Sequence, residues 1–256
     1  MIKGNKAIVT GASRGIGFAI AKELVNAGCS VVITGRNEKT LKVAAEKIGK
    51  TAIPMVWNAS DIDLAAAKIN EAAEILGGLD IVVNNAGIFA QRNEWSKTDL
   101  LQTTVDEWQS VMKTNTSAIF FTMQAAVNYM LENNIKGNIV LISSNNAIAH
   151  FADVSVYGSA KTAAGKMAEH AAIELAKYGI RVNTIEPGWT QTGADRLDNQ
   201  EETYYKIPLK KWATVEEIGK TVIFLDSDAA ASITGTSILI DNGACLVSDK
   251  RERYGY

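Results

Sequence analysis

The chain has 256 residues, 47% of them apolar and 21% charged, which is the ordinary composition of a globular protein with a substantial core. Its formal net charge of −2 argues against a nucleic-acid-binding protein, because no excess of basic residues is present to neutralise phosphates. Two cysteines and two histidines are too few for a disulfide framework or a histidine-rich metal site. We expect no metal site and no nucleic-acid partner.

Short β-branched runs alternate with helical patterns along the chain. The predicted strands are residues 6–10, 30–34, 52–57, 79–84, 137–143, 180–186 and 237–241. The predicted helices lie near 15–28, 38–49, 61–76, 105–133, 155–178 and 214–226. This alternation with short connections is typical of a parallel sheet covered by helices on both faces. We expect a single domain over residues 1–256, an α/β fold of the Rossmann type whose doubly wound parallel sheet has about seven strands.

Targeting and membrane signals are absent from the sequence pattern. The N-terminal segment enters a strand pattern at once, which leaves no room for a signal peptide. The longest uncharged run, 114–131, contains threonine, asparagine, serine and glutamine, which argues against a membrane span. We interpret it as a helix covered by protein, either by this chain or by a partner subunit. A cytoplasmic protein without membrane contact is expected.

The segment TGASRGIG, residues 10–17, follows the first predicted strand and opens the first predicted helix. Gly11, Gly15 and Gly17 allow a tight turn and a close approach of backbone N–H groups to a diphosphate at the helix N-terminus. Three residues, rather than the usual one, separate the first two glycines. A simple tight turn would use the same residues, but the strand before and the helix after favour a dinucleotide-binding loop.

The end of the second predicted strand indicates which dinucleotide would bind. NAD sites commonly place an acid there for the ribose 2′-hydroxyl, whereas an arginine accommodates a 2′-phosphate. Gly35 and Arg36 occupy these positions, no acid precedes Glu38, and Arg14 in the glycine loop would reach the same phosphate. Two solvated arginines are the alternative interpretation. Together the residues favour NADP (NADPH) over NAD.

Two connections are longer than the others, residues 87–108 and residues 189–213. Both follow predicted strands, and such folds build their substrate sites at the carboxyl ends of strands. We expect a substrate lid near residues 189–213.

The segment SVYGSAK, residues 155–161, places Tyr157 four residues before Lys161 and hence on the same helix face. An ordinary tyrosine, with a pKa of ~10, is a poor base near neutral pH, and a neighbouring ammonium would favour its phenolate. Taken alone, a core tyrosine and a solvated lysine explain the spacing better. Ser144 lies thirteen residues before Tyr157, at a predicted strand end, where a hydroxyl has no assigned role by itself.

Five motifs occur in order: TGASRGIG, NNAG (84–87), ISS (142–144), YGSAK (157–161) and VNTIEPGWTQT (182–192). They resemble the short-chain dehydrogenase/reductase family over nearly the whole chain, in the compact branch of 3-oxoacyl-carrier-protein reductases and sugar or polyol dehydrogenases. The resemblance implies a catalytic tetrad of Asn115, Ser144, Tyr157 and Lys161, in which Asn115 holds a water that links Lys161 to solvent. It also implies the cofactor contacts Gly11, Ser13, Arg14, Gly15, Ile16, Gly17, Arg36, Asn58, Ala59, Asn85, Ala86, Gly87, Tyr157, Lys161, Pro187, Gly188, Thr190 and Thr192.

Two positions depart from the family pattern. Asn58 stands after the third predicted strand where the family usually has an aspartate beside the adenine, and we expect the contact to survive in altered form. Asn242 stands where the commoner motif has a glycine, and asparagine adopts left-handed backbone geometry less easily than glycine.

The candidate substrate contacts are Ser144, Asn146, His150, Tyr157 and Trp189. Amides and aromatic rings would suit a small hydroxylated substrate, such as a sugar, a polyol or a hydroxy or keto acid. The alternative is that several of these side chains point away from the cleft.

The expected function is that of an NADP(H)-dependent oxidoreductase that interconverts a carbonyl and a secondary alcohol. An alternative within the same class is a 3-oxoacyl-thioester reductase, which the acid-rich segment 93–108 does not favour, although Arg92 and Lys113 flank it. A non-catalytic NADP-sensing protein is a more remote alternative. A homo-oligomer, tetramer or dimer, is expected, and the tail 248–256 would either be disordered or cross a subunit interface.

Overall fold

A parallel sheet lies at the centre of the fold, in a computed structural model that describes residues 4–89, 100–193 and 207–247. The strands are β1 (Lys6–Val9), β2 (Ser30–Gly35), β3 (Ala52–Val56), β4 (Ile81–Asn84), β5 (Asn138–Ile142), β6 (Arg181–Pro187), β7 (Thr190–Gln191), β8 (Ala213–Thr214) and β9 (Ser237–Ile240). Seven of them form the sheet in the order β3-β2-β1-β4-β5-β6-β9, and every neighbouring pair is parallel. The short strands β7 and β8 pair with each other in a separate two-stranded sheet.

Helices cover both faces of this sheet. They are α1 (Gly15–Asn26), α2 (Glu38–Ile48), α3 (Ala65–Leu76), α4 (Val105–Met112), α5 (Ala118–Glu132), α6 (Ser155–Leu175) and α7 (Val215–Leu225). Polar caps fix several helix starts: Thr104 and Thr214 form reciprocal capping boxes with the glutamates three residues later, and Asn37 caps α2.

The strand residues alternate between two apolar cores, as the two-residue period of a strand requires. Ile8 and Val82 face the core beneath α3, α5 and α6. Ala7, Val9 and Val83 face the core beneath α1, α2 and α7. The prediction of a doubly wound α/β fold with a seven-stranded parallel sheet is confirmed.

The helix predicted over 105–133 is interrupted. Lys113–Ser117 forms a π-helical turn between α4 and α5. The Asn115 side chain accounts for this break, because its amide nitrogen donates to the Val111 carbonyl oxygen at 3.1 Å and to the Ile88 carbonyl oxygen at 2.7 Å. A side chain that bonds to the preceding turn and to a neighbouring segment competes with regular helix geometry.

The strand order reverses between β1 and β4, which both lie at the middle of the sheet. In open parallel sheets the crevice at such a switch point, outside the carboxyl ends of the strands, is the usual place for a bound nucleotide. None of the helices in the described residues is long and apolar enough to cross a membrane. Parts of the expected lid, residues 194–206, and the tail 248–256 lie outside the described residues, as does Arg92.

At the opposite, amino-terminal edge of the sheet, Asp226 is a buried acid with 2% of its surface exposed. Its carboxylate accepts hydrogen bonds from the Gly4 backbone nitrogen at 3.3 Å and from the Asn138 side-chain nitrogen at 3.5 Å. Burial raises the pKa of Asp226 to about 6, while the Gly4 bond and the charge of Arg181 work in the opposite direction. The ionised carboxylate therefore costs the folded protein free energy at neutral pH.

We predict that Asp226→Asn becomes increasingly stabilising, relative to the wild type, as the pH rises from 4 to 8. The folded-state pKa of about 6 lies above the ordinary value of about 3.9, so the protonated carboxyl favours folding at low pH and this contribution is lost as the pH rises through 6. The asparagine does not titrate, and the difference in unfolding free energy should change by up to about 3 kcal/mol. Chemical denaturation across this pH range measures it. Asp63→Asn, at an exposed site, is the control, and a difference that does not vary with pH would contradict the prediction.

Candidate active site

The loop between β1 and α1 has the backbone geometry of a close-approach site. Gly11 and Gly15 have φ angles of +67° and +58°, which favour glycine. A β-carbon on Gly11 would lie 2.9 Å from the Ala86 α-carbon, and one on Gly15 would lie 3.7 Å from the Thr192 β-carbon. The loop is therefore enclosed by the segment after β4 on one side and by the segment after β7 on the other.

The segment after β4 is tied to this loop by hydrogen bonds. The Asn85 side-chain nitrogen donates to the carbonyl oxygens of Thr10 and Gly11, at 2.9 and 3.1 Å. In return, the Thr10 hydroxyl accepts from the backbone nitrogens of Asn85 and Ala86, at 3.0 and 3.1 Å. Gly17 completes the contact, because a β-carbon there would lie 2.4 Å from the Asn85 side-chain nitrogen.

These residues fit the diphosphate of a dinucleotide. A β-carbon on Gly11 or Gly17 would collide with its neighbours, and α1 begins within the loop at Gly15. Arg14, the N-cap residue of α1, forms no side-chain capping hydrogen bond, and the positive end of the helix dipole lies at this loop, where it would favour an anion. The interpretation of TGASRGIG as a dinucleotide loop agrees with this geometry.

The end of β2 lies beside the glycine loop. A β-carbon on Gly35 would lie 3.6 Å from the Ser13 β-carbon, so the residues that follow each of them, Arg36 and Arg14, are on the same rim of the crevice. Both arginines are exposed. Their binding of the 2′-phosphate of NADP stays a prediction.

Glu38 follows β2, and Asn58 follows β3. Glu38, the first acid after β2, forms an ion pair with Lys42 at 2.7 Å. Asn58 holds the turn after β3: its side-chain nitrogen lies 3.5 Å from an Asp61 carboxylate oxygen, and its backbone oxygen accepts from the Asp61 nitrogen. Ala59 is buried in this turn. Asn58 therefore has a local structural role, and its contact with adenine stays a prediction.

Ser144 ends the segment after β5 and is almost fully buried. Its hydroxyl oxygen accepts from the Asn146 backbone nitrogen at 3.2 Å and from the Asn146 side-chain nitrogen at 3.0 Å. The same hydroxyl donates to the Asn145 side-chain oxygen at 3.4 Å. Asn146 was predicted to contact a substrate, whereas in the structure its amide donates to Ser144.

Tyr157 and Lys161 lie on one face of α6, as their spacing predicted. The Lys161 amino group is 5.8 Å from the centre of the Tyr157 ring and donates to the Ile142 carbonyl oxygen at 2.9 Å. Burial lowers the pKa of Lys161 to about 8. Burial also raises the pKa of the Tyr157 phenol, and a hydrogen bond with Ser144 lowers it in part. The phenol is therefore protonated at neutral pH and linked to Ser144.

Phe89 was missed in the sequence, and it packs on Tyr157 with the ring centres 4.8 Å apart. It follows the NNAG motif by two positions, which is the only signal of its location. An aromatic ring over the phenol keeps water away from it, and this agrees with the direction of the Tyr157 pKa.

Asn115 joins this cluster to the segment after β4. Its side-chain oxygen accepts from the Ile88 backbone nitrogen at 3.1 Å, and a β-carbon on Gly87 would lie 2.6 Å from that oxygen. The same β-carbon would lie 3.4 Å from the Lys161 amino nitrogen. Gly87 is therefore the point where the dinucleotide loop and the Tyr157–Lys161 pair meet.

The segment after β6 forms a second wall. A β-carbon on Gly188 would lie 2.6 Å from the Asp241 β-carbon and 3.3 Å from the Asn145 side-chain nitrogen. Pro187 is buried at the end of β6, and the Thr190 hydroxyl donates to the Gly188 carbonyl oxygen at 2.9 Å. Asn145 and Asp241, neither of which was a predicted site residue, therefore pack closely around Gly188.

The position where the family pattern commonly has glycine does require left-handed backbone geometry. Asn242 has a φ angle of +56°, followed by Gly243 at +85°. Asparagine adopts this region more readily than most residues with a β-carbon.

Trp189 and His150 were both predicted substrate contacts, and both are exposed. Trp189 is 45% exposed and stacks on Trp212 with the ring centres 5.7 Å apart. His150 is a surface residue in the turn before α6, and no described contact joins it to Ser144 or Tyr157. Within the described residues, no group of three histidine, cysteine or acidic side chains could hold a metal ion.

A parallel sheet with a glycine loop after its first strand, and a Ser–Tyr–Lys cluster beside that loop, is the arrangement of a nucleotide-dependent oxidoreductase. A family model described as enoyl-(acyl carrier protein) reductase matches residues 11–245. Glucose 1-dehydrogenase 2 of Bacillus subtilis is 32% identical over 98% of this chain and 98% of the relative. A 3-oxoacyl-acyl-carrier-protein reductase of Vibrio harveyi is 30% identical over 96% of this chain and 99% of the relative.

A solved short-chain type dehydrogenase/reductase from Mycobacterium marinum superposes with a TM-score of 0.87 at 32% identity, covering 96% of this chain and 97% of that one. The chain belongs to the short-chain dehydrogenase/reductase family, whose members are oxidoreductases that use NAD or NADP.

We predict that Gly17→Ala destabilises the protein by about 1–3 kcal/mol and weakens dinucleotide binding. The added β-carbon would lie 2.4 Å from the Asn85 side-chain nitrogen and 2.6 Å from the Gly11 carbonyl oxygen, so the loop must shift. Thermal unfolding and fluorescence titration with NADPH and NADH measure the two effects. Gly165→Ala in α6 is the matched control, since nothing lies within 4 Å of its added β-carbon. Equal behaviour of the two variants would contradict the prediction.

Proposed function

We propose that this chain is an NADP(H)-dependent oxidoreductase that interconverts a carbonyl and a secondary alcohol on a small polar substrate, such as a sugar, a polyol or a hydroxy or keto acid. The observation that carries the proposal is the convergence of Ser144, Tyr157 and Lys161 beside Gly87, at the end of the dinucleotide loop. The bound dinucleotide supplies or takes up the hydride.

In this proposal Ser144 and Tyr157 act on the substrate oxygen. The Ser144 hydroxyl donates a hydrogen bond to that oxygen, where negative charge develops during reduction. Tyr157 holds its proton at neutral pH because burial raises its pKa, and it donates this proton to the same oxygen. In the oxidative direction the phenolate accepts the proton. The aromatic cover of Phe89 limits the access of water to this transfer.

Lys161 would stabilise the phenolate and bind the nicotinamide ribose hydroxyls. Its buried amino group has a pKa of about 8, so it is largely an ammonium at neutral pH. The role of Asn115 in holding a water that links Lys161 to solvent stays part of the proposal. Both amide hydrogens of Asn115 bond to backbone carbonyls, so that water would bond to the remaining lone pair of its side-chain oxygen or to a backbone carbonyl of the π-helical turn.

The polar-substrate part of the proposal is supported by the relatives and by the rim of the crevice. Two relatives are named glucose 1-dehydrogenase 2 and gluconate 5-dehydrogenase, and both act, by name, on sugars or sugar acids. The stacked pair of Trp189 and Trp212 follows the wall that carries Gly188, and an exposed indole face suits the apolar face of a sugar ring.

Reduction of 3-oxoacyl thioesters is the second candidate. The family model is described as an acyl-carrier-protein enoyl reductase, and several relatives are named 3-oxoacyl-acyl-carrier-protein reductases. An acidic carrier protein requires a basic surface near the cleft, and the acid-rich segment 93–108 does not favour one. A protein that only senses NADP would not need the Tyr157–Lys161 pair, which makes it the weakest candidate.

The wider expectations are also part of the proposal: a cytoplasmic homo-oligomer built of one domain. Phe120 and Phe121 are exposed on α5 in edge-to-face contact, which supports a partner subunit on that helix.

We predict that the wild type turns over at least one member of a panel of sugars, polyols, hydroxy acids and ketones, and that Tyr157→Phe lowers kcat by about 10²–10⁴-fold. The reason is that the phenol is the proposed proton donor. Steady-state assays with NADP(H) and NAD(H) measure this. Tyr178→Phe, at an exposed tyrosine, should keep wild-type activity. Full activity of Tyr157→Phe would disprove the mechanism, and turnover of acetoacetyl thioesters but no sugar would favour the second candidate.

We predict tighter binding of NADPH than NADH, with the preference reversed in Arg36→Asp. A guanidinium–phosphate hydrogen bond contributes about 1.5–3 kcal/mol, and the new carboxylate would instead accept from a ribose 2′-hydroxyl. Fluorescence titration of both dinucleotides measures this. Lys39→Asp, at an exposed residue of α2, is the control for the change in overall charge. Tighter NADH binding by the wild type would refute the preference.

A further inference from the structure

The segment 145–147 between Ser144 and α6 is held in place by contacts that do not involve the Asn146 side chain. The Thr162 hydroxyl of α6 donates to the Ala147 carbonyl oxygen at 3.0 Å. A β-carbon on Gly158, the residue after Tyr157, would lie 3.1 Å from the Asn146 carbonyl oxygen. The Asn146 backbone therefore packs directly against the first turn of α6.

The Asn146 side chain forms two further hydrogen bonds, beyond the contacts that hold its backbone. Its nitrogen lies 3.0 Å from the Ser144 hydroxyl oxygen and 3.3 Å from the Asn145 side-chain oxygen. Because an oxygen at that position would face the Asn145 oxygen, the nitrogen is the atom that occupies it. Ser144 thus receives two N–H donors, one from the Asn146 backbone and one from its side chain.

Two donors on one hydroxyl oxygen have a chemical consequence. They fix the oxygen and leave the hydroxyl hydrogen as the only part of Ser144 that can rotate. They also withdraw charge from the oxygen, so the hydroxyl becomes a stronger donor to its next partner. In the structure the hydroxyl has two such partners, the Asn145 side-chain oxygen at 3.4 Å and Tyr157, whose phenolate the bond favours. In the proposed reaction the partner is the substrate oxygen.

We propose that Asn146 is a positioning residue: its side-chain amide orients and polarises the Ser144 hydroxyl, and through it strengthens the hydrogen bonds to Tyr157 and to the substrate oxygen. This inference rests on the proposed function, because it assigns a partner to the proposed catalytic serine. It changes the role of Asn146 from a substrate contact to a support of Ser144.

The test uses Asn146→Ala and Asn146→Asp, which both remove the donor, and Asn146→Gln, which keeps an amide. Asn70→Ala, at an exposed asparagine on α3, is the matched control. In the two donor-free variants we expect kcat to fall by about five- to twentyfold with little change in KM, as the loss of one hydrogen bond predicts. In the oxidative direction, kcat should rise with pH as Tyr157 loses its proton, and the midpoint of this rise should move to higher pH. Asn146→Gln should recover part of the rate.

A second readout is independent of any substrate. Ultraviolet titration of tyrosinate, taken as the difference between each protein and its Tyr157→Phe counterpart, reports on the Tyr157 phenol alone. We expect Asn146→Ala and Asn146→Asp to titrate at higher pH than the wild type. If the wild type turns over no substrate, the proposed function fails, and this titration still decides the role of Asn146.

Three outcomes would overturn the inference. The first is wild-type kcat and an unchanged Tyr157 titration in both donor-free variants. The second is a rise in KM alone, which would make Asn146 a substrate contact. The third is a loss of thermal stability without a shift in either pH profile, which would make its role merely structural.

Discussion

The hydrogen bonds between Thr10 and the Asn85–Ala86 backbone, together with the Asn85 amide on the Thr10 and Gly11 carbonyls, determine the geometry of the whole crevice. They lock the end of β1 to the segment after β4, on the two strands where the sheet order reverses. Gly87 follows directly, and it touches both Asn115 and Lys161. A change in these hydrogen bonds would therefore move the dinucleotide loop relative to the Tyr157–Lys161 pair.

Burial controls the protonation of the site. Lys161 donates to the Ile142 carbonyl at the end of β5, inside the protein, and Tyr157 lies under Phe89. The same burial lowers the pKa of the amine and raises that of the phenol, so it shifts both equilibria toward the neutral form, although Lys161 remains largely an ammonium at neutral pH. The hydrogen bond from Ser144 lowers the pKa of Tyr157 and so opposes the effect of burial. The two Asn146 nitrogens that donate to Ser144 therefore matter for the acid–base chemistry.

Much of the fold and of the site could be predicted from the sequence. The alternating runs predicted the sheet because a parallel strand buried on both faces needs apolar residues at nearly every position. The i, i+4 spacing placed Tyr157 and Lys161 correctly because helix geometry is local. Phe89, Asn145 and the bond from Asn146 to Ser144 could not be predicted, since they depend on how the chain packs after β4 and β5. The helix predicted over 105–133 is present, but its π-helical turn at Lys113–Ser117 could not be predicted for the same reason: Asn115 bonds to Ile88, a contact across the fold.

By itself, therefore, the sequence determined the α/β class, the glycine loop and the membership of Ser144, Tyr157 and Lys161 in one ordered set of motifs. These features follow from local backbone preferences and from the spacing of residues within single elements. The tertiary structure alone decided that Asn146 faces Ser144, that His150 lies on the surface and that Gly87 joins the two halves of the site. Contacts between segments far apart in the chain depend on packing distances of a few ångströms, and no local pattern encodes them.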